Sequence, residues 1–125
     1  MKPQTLMDTL EMTYETVTKE KIEISMPVTD KVTQPMGYLH GGATAALAET
    51  AASLGGMQQV DSEKQAIVGM EISCNHLKAK KQGVISAVAQ PLHIGKRTMV
   101  WDIQIVDENE QLIAVSRCTL GIIEK

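Results

Sequence analysis

Between Val32 and Val60 the chain carries a single formal charge, the carboxylate of Glu49. It stands in an Ala- and Gly-rich run, Gly37-Tyr-Leu-His-Gly-Gly-Ala-Thr-Ala-Ala-Leu-Ala-Glu-Thr-Ala-Ala-Ser-Leu-Gly-Gly56. Burying a lone carboxylate is costly, so its presence there asks for a reason. His40-Gly41-Gly42 lies at the entry of the helix this run forms. Free backbone N–H groups and the positive dipole end favour negative charge at such a place. Glycine lets a ligand approach the backbone closely, so the segment can act as an oxyanion hole. Glu49 follows two helical turns later, and Ser53 lies four residues beyond it on the same face. The same residues also fit a plain turn, the polar edge of an amphipathic helix, and a serine bonded back to a carbonyl. The pattern alone leaves both readings open.

The elements that must hold these residues are legible as periodicities. Thr5 to Met12 reads as a short helix with Leu6, Met7 and Leu10 at helical spacing, and Thr5 with Asp8 forms a capping box. Lys21 to Val28 alternates as a strand with Ile22, Ile24, Met26 and Val28 on one face. Thr29 to Gly37 is a loop. Ala43 to Leu54 is a helix of small residues, with Gly55-Gly56 as its stop. Four strands follow. Ala66 to Lys78 alternates Val68, Met70, Ile72, Cys74 and His76; Gly83 to Leu92 carries Val84, Ile85, Val88 and Leu92. Thr98 to Val106 puts Met99, Trp101, Ile103 and Ile105 on one face, and Gln111 to Ile123 alternates Leu112, Ala114, Ser116, Cys118 and Leu120. Asp107 to Gln111 is a hairpin loop. The order predicts an α+β fold, one helix against an antiparallel sheet. The helix covers one face, leaving the other to water or a partner.

Bulk properties narrow the function. The 125 residues suit one domain spanning 1–125, with a core that needs no disulfides. Cys74 and Cys118 read as reduced core residues. A net charge of −3 and an aromatic set of Trp101, Tyr14 and Tyr38 argue against nucleic-acid binding. No metal-ligand spacing appears, and a metal built from His40, His76 and His93 is not expected. No apolar run follows Met1 to Thr5 and no stretch is apolar enough to span a bilayer, so a cytoplasmic protein without a leader is expected.

A wider pattern carries a resemblance. Gln34-Pro-Met-Gly-Tyr-Leu-His-Gly-Gly-Ala, with Glu49 nine residues after His40, resembles the hotdog-fold acyl-CoA thioesterases. Within them it is similar to the branch with a helix-borne Glu, which includes 4-hydroxybenzoyl-CoA and 1,4-dihydroxy-2-naphthoyl-CoA thioesterases. Val68-Gly-Met-Glu-Ile-Ser-Cys-Asn-His76, Pro91-Leu-His-Ile-Gly-Lys-Arg97 and Val100-Trp-Asp-Ile extend the likeness from about Lys21 onward. The resemblance implies a long helix wrapped by a curved antiparallel sheet. It also implies a homodimer with shared active sites, paired into a dimer of dimers. The Gly41 N–H and the Gln34 amide would then polarise a thioester carbonyl. Glu49 of the opposite subunit would attack it or activate water, with His40 near the leaving thiol and Ser53 orienting water. Gly69, His76, Leu77, Lys78, Ala79, His93, Ile94, Gly95, Lys96, Arg97 and Thr98 would meet coenzyme A, with Lys80 and Lys81 weaker candidates for its phosphates. No cofactor is implied, since CoA is part of the substrate. A place in menaquinone biosynthesis goes with the naphthoyl branch.

Two neighbouring chemistries fit less well. Hydratases of this fold show an Asp five residues before the His, where this chain has Pro35. A second thioesterase branch needs an Asp in the loop before the helix, and Tyr38-Leu39 offers none. A non-catalytic acyl-CoA-binding module is the alternative of a different class. It would be expected to lose the carboxylate, which Glu49 retains.

Overall fold

The alternating segments assemble into one antiparallel sheet. The computed structural model describes residues 4–125, so the reading of the first five residues rests partly on positions outside that range. In chain order the elements are α1 (Leu6–Thr9), β1 (Thr13–Val17), β2 (Ile22–Val28), a 3-10 turn (Asp30–Val32) and α2 (Gly41–Met57). Then come β3 (Gln65–His76), β4 (Gly83–Ile94), β5 (Thr98–Asp107) and β6 (Leu112–Glu124). The six strands are ordered β1-β2-β4-β5-β6-β3. The segment containing α2 therefore carries the chain from β2, near one edge, to β3 at the other. The expected α+β architecture, a long helix against an antiparallel sheet, is what the chain adopts.

The core lies between α2 and the inner face of the sheet. Ile22, Ile24 and Met26 of β2, Ile85, Ala87 and Ala89 of β4, and Trp101, Ile103 and Ile105 of β5 are all buried there. Ala114, Cys118 and Leu120 of β6 complete that face. From α2 the buried residues are Thr44, Leu47, Ala48, Ala51, Ala52, Gly55 and Gly56. Leu47 is the one large side chain among them, so the helix axis can sit close to the strands.

Four local expectations needed correction. Gly55-Gly56 is not the helix stop, because α2 runs on to Met57 with Gln58 as C-cap. A Cβ at Gly55 would lie 2.5 Å from Cη2 of Trp101, and one at Gly56 would lie 2.7 Å from Cδ1 of Leu120. These glycines serve close packing rather than termination. The predicted single face of β3 is also divided. Gly69 pairs with Leu120 and Glu71 with Thr119, so the register shifts at Met70. A bulged residue reverses which side chains face inward. Ile67, Ile72 and Cys74 pack on the core, while exposed Val68 and Met70 lie over Gly121. In β4 the inward set is Ile85, Ala87 and Ala89, and Val84 and Leu92 are exposed. The fourth correction is β1, whose polar, exposed sequence Thr13-Tyr-Glu-Thr-Val17 showed no apolar alternation. It pairs with β2 as an edge strand.

The β5–β6 turn and the N-terminal cap follow expectation. The Asp107 carboxylate accepts the N–H groups of Asn109 and Gln111, each at 2.9 Å. The Asp8 carboxylate accepts the Thr5 N–H at 3.0 Å, as a capping box requires.

Adding one methyl at Gly55 gains about 1 kcal/mol of helix propensity but drives carbon into a fully buried indole. Overpacking of that kind costs about 1–3 kcal/mol. Gly55→Ala is expected to lower the urea midpoint, and an unchanged or higher midpoint would contradict this packing.

Candidate functional site

The loop before α2 is shaped by its own backbone. The Gly37 N–H donates to the Gln34 carbonyl at 2.8 Å, closing a turn with Pro35 in its second position. Gly37 has φ +88°, a conformation that favours glycine. The Gln34 N–H reaches the Tyr38 carbonyl at 2.8 Å, the His40 N–H reaches Val32 at 2.8 Å, and the Leu39 N–H reaches Lys80 at 2.7 Å. The segment entering the helix is thus held from both sides.

His40 is the N-cap of α2. Its Nδ1 accepts the Gly42 N–H at 2.8 Å, so a ring proton belongs on Nε2. Its carbonyl takes the N–H groups of Ala43 and Thr44. Among the described residues the Gly41 N–H has no acceptor. Gln34 accepts the Met36 N–H through Oε1, which leaves its Nε2 as donor. Gln34 and Gly41 line one cavity of about 460 Å³ with Thr44, His76, Leu77, Lys78 and Ala79. His76 lies over Gly41, its Nε2 3.0 Å from where a Cβ would stand.

Glu49 and Ser53 line a different cavity, of about 490 Å³, walled by Leu6, Met7, Tyr14, Leu54 and Met57. Thr50 bonds back to the Ala46 carbonyl at 2.7 Å, but Ser53 makes no such bond among the described residues. The serine bonded back to a carbonyl, one part of the structural reading left open, is therefore not what the chain adopts. A Cβ at Gly69 would collide with the Glu49 carboxylate, so Gly69 lies beneath that carboxylate. The apolar walls from α1, β1 and the end of α2 were missed by sequence reasoning. In the structure they show as large side chains left half-exposed: Leu6 at 55%, Tyr14 at 50% and Met57 at 50%.

Ile94, Gly95 and Lys96 line a third cavity of about 360 Å³. The Gly95 N–H donates to the Thr98 carbonyl at 2.9 Å and the Arg97 carbonyl accepts from Ile122 at 2.8 Å, which fixes the β4–β5 turn. His93 stands beside Gly95, and Arg97 is exposed. Lys80 is engaged elsewhere: its Nζ lies 2.5 Å from Glu108 and 3.3 Å from Asp107. Lys81 sits over the Tyr38 ring, 5.0 Å from its centroid.

The bond to Glu108 raises the pKa of Lys80. That of Asp107 is lowered by the Gln111 N–H first, and that of Glu108 by Lys80 first. The stability these carboxylates add is present above about pH 4 and lost as acid protonates them. Burial, with Glu49 and Glu71 adding, pushes the Cys118 thiol up to about 12, so it stays protonated at neutral pH. Both cysteines are free. Among the described residues no cluster of three or more His, Cys, Asp or Glu could hold a metal. No helix there is long and apolar enough to cross a membrane.

One distance governs what this arrangement can do. Glu49 lies eight residues from Gly41 in a continuous helix, about 12 Å along its axis. A carbonyl group bonded to both a donor and a nucleophile spans far less.

The sequence model of the thioesterase superfamily matches residues 36–114. The chain belongs to that superfamily. A 1,4-dihydroxy-2-naphthoyl-CoA hydrolase of Listeria monocytogenes is 43% identical over 120 residues, 96% of this chain and 97% of that one. A proofreading thioesterase of Cronobacter sakazakii is 40% identical over 119 residues, 95% and 86% of the two chains. A thioesterase of Staphylococcus aureus, crystallised with a glutamine replaced by alanine, superposes with a TM-score of 0.91 at 48% identity. That match covers 94% of this chain and 97% of the other. The same protein with a glutamate replaced by alanine gives 0.94 at 47%, over 97% and 100%. Its two altered residues stand fifteen positions apart, the separation of Gln34 and Glu49 here. The hotdog fold and the thioesterase class expected from the sequence both stand for this member of the superfamily.

Gly69→Ala is expected to displace the Glu49 carboxylate with little effect on the fold. Turnover of an acyl-CoA should fall at least about tenfold while circular dichroism stays that of the parent. Unchanged turnover would separate Gly69 from Glu49.

Proposed function

We propose that this thioesterase hydrolyses an aromatic acyl-CoA to the free acid and CoA, at sites shared between two copies of the chain. The observation that carries the reading is the axial separation within α2. Gly41 and Gln34 open into one cavity and Glu49 and Ser53 into another, about 12 Å further along the helix. Two copies laid antiparallel bring one copy's donors to the other's carboxylate. Each pair of copies then has two sites, and two pairs make a dimer of dimers. Residues 1–125 serve as a single domain in each copy.

In that arrangement the thioester oxygen accepts hydrogen bonds from the Gly41 N–H and Gln34 Nε2 of one subunit. These donors favour the tetrahedral oxyanion over the ground-state carbonyl. Glu49 of the other subunit acts on the carbonyl carbon, directly or by removing a proton from water. In the direct route the thiolate of CoA leaves and a mixed anhydride forms, which water then cleaves. In the general-base route water attacks and no acyl-enzyme forms. Ser53 holds the water in either case, and the His40 Nε2 serves the leaving sulfur. No cofactor takes part, and the acyl-CoA substrate puts the enzyme in the cytoplasm.

The acyl group occupies the apolar cavity beside Glu49, where Leu6, Met7, Tyr14 and Met57 suit an aromatic ring. A 1,4-dihydroxy-2-naphthoyl group is the first choice, supported by the 43% identical relative that carries that name, and would give the enzyme a role in menaquinone biosynthesis. The CoA portion runs along His76 to Ala79 and His93 to Thr98, with Gly69 near the acyl end and Lys96 nearest the phosphates.

Glu49→Ala is expected to lower kcat by about 10³ or more, read as thiol release from benzoyl-CoA. Near-normal turnover would sink the mechanism, and binding without turnover by the parent protein would favour an acyl-CoA-binding module instead. Lys96→Ala is expected to raise KM for benzoyl-CoA more than for benzoyl-pantetheine. Equal effects on both substrates would remove Lys96 from the phosphate site.

A further inference from the structure

We propose that Lys80 is a positioning residue for the oxyanion donors and not a ligand of the CoA phosphates. The inference rests on the reading that Gly41 and Gln34 polarise the thioester carbonyl.

The Lys80 side chain is 16% exposed and shared by two carboxylates, at 2.5 Å from Glu108 and 3.3 Å from Asp107. The three groups carry a net charge of −1, so the cluster does not attract a phosphate. Its anchor is rigid. Asp107 also caps the β5–β6 turn through the Asn109 and Gln111 N–H groups. Glu108 accepts the Val84 N–H at 2.8 Å, which ties it to the start of β4. Glu108 occupies the space a Cβ at Gly83 would need, and Gly83 has φ +102°. The side chain of Lys80 is therefore held at the end of β5, by a turn that is itself tied to β4.

Its backbone reaches the site. The Lys80 carbonyl accepts the Leu39 N–H at 2.7 Å. On the other side of the same segment, Thr33 bridges Leu39 and the Val32 carbonyl accepts the His40 N–H. Leu39 and His40 are thus clamped between Val32–Thr33 and Lys80. The next N–H along the chain is that of Gly41, which has no acceptor among the described residues. The Gln34 turn closes on Tyr38, one residue before the clamp. Loss of the ammonium releases Lys80, then Leu39, and with it the aim of both donors. Errors of an ångström in such a position carry large rate penalties.

The experiment compares Lys80→Met, Lys80→Arg, Glu108→Gln and Gln34→Ala in the full-length protein, on benzoyl-CoA and benzoyl-pantetheine. Lys80→Met is expected to lower kcat about tenfold on both substrates, with KM within about twofold of the parent. Lys80→Arg should recover most of the loss, because a guanidinium can still bridge two carboxylates. Glu108→Gln should lower kcat about threefold on both substrates, and it carries the test if Lys80→Met does not fold. A rise in KM confined to benzoyl-CoA would overturn the proposal in favour of phosphate binding. A lower melting temperature with parental kcat per folded molecule would overturn it in favour of a purely structural role. Gln34→Ala separates the two levels. If it leaves kcat intact, the donor reading fails. If it lowers kcat while Lys80→Met and Glu108→Gln do not, the positioning role alone fails.

Discussion

The distance between a helix and the sheet beneath it is set by the side chains that must fit in the gap. In this molecule the gap is narrowed by glycine and alanine along one face of α2. Gly55 meets the ring of Trp101 and Gly56 meets Leu120, where any larger residue would collide. The same close approach brings Gly69 of β3 beneath the carboxylate of Glu49. Core packing and site geometry are therefore one constraint. A helix standing further off would leave a cavity under the indole and would move the carboxylate away from the strand that orients it.

This constraint explains which parts of the chain could be read in advance. The alternation in β2 and β5 is set by burial on one face, and it appears in the sequence with the right residues inward; in β6 it holds from Ala114 to Leu120, while a register shift buries Ile113 in place of Leu112. Glu49 was visible because its neighbours are uncharged over a long span. Gly55 and Gly56 were not readable in the same way. Glycine ends helices and also permits close packing, and only the position of Trp101, 46 residues later, distinguishes the two uses. The bulge at Met70 leaves no trace in composition, because one unpaired residue changes the facing of its neighbours without changing their identity. The first strand, β1, is an exposed edge strand and had no apolar face to reveal it.

Charge was the least legible property at the site. In the sequence, Lys78, Lys80, Lys81, Lys96 and Arg97 are cations at strand ends and in loops, with nothing local to show what each faces. The fold separates them by what lies opposite. Lys80 meets carboxylates 27 and 28 residues away, Lys81 meets an aromatic ring, and Lys96 borders an open cavity. Pairing across such sequence distances is decided by topology, so the roles of individual cations become distinct only in three dimensions.

The N-terminal wall beside Glu49 has a consequence for how this protein could change. A four-residue helix and an edge strand supply Leu6, Met7 and Tyr14, and none of the three is part of the buried core. Replacing them alters the room in the cavity beside Glu49 without touching the buried face of α2 or the strand order. On the proposed function, the residues that break the bond and the surface that receives the acyl group thus belong to regions with separate folding requirements. The shape of that cavity can therefore drift at Leu6, Met7 and Tyr14 while the remainder of the chain stays under the constraints of its core.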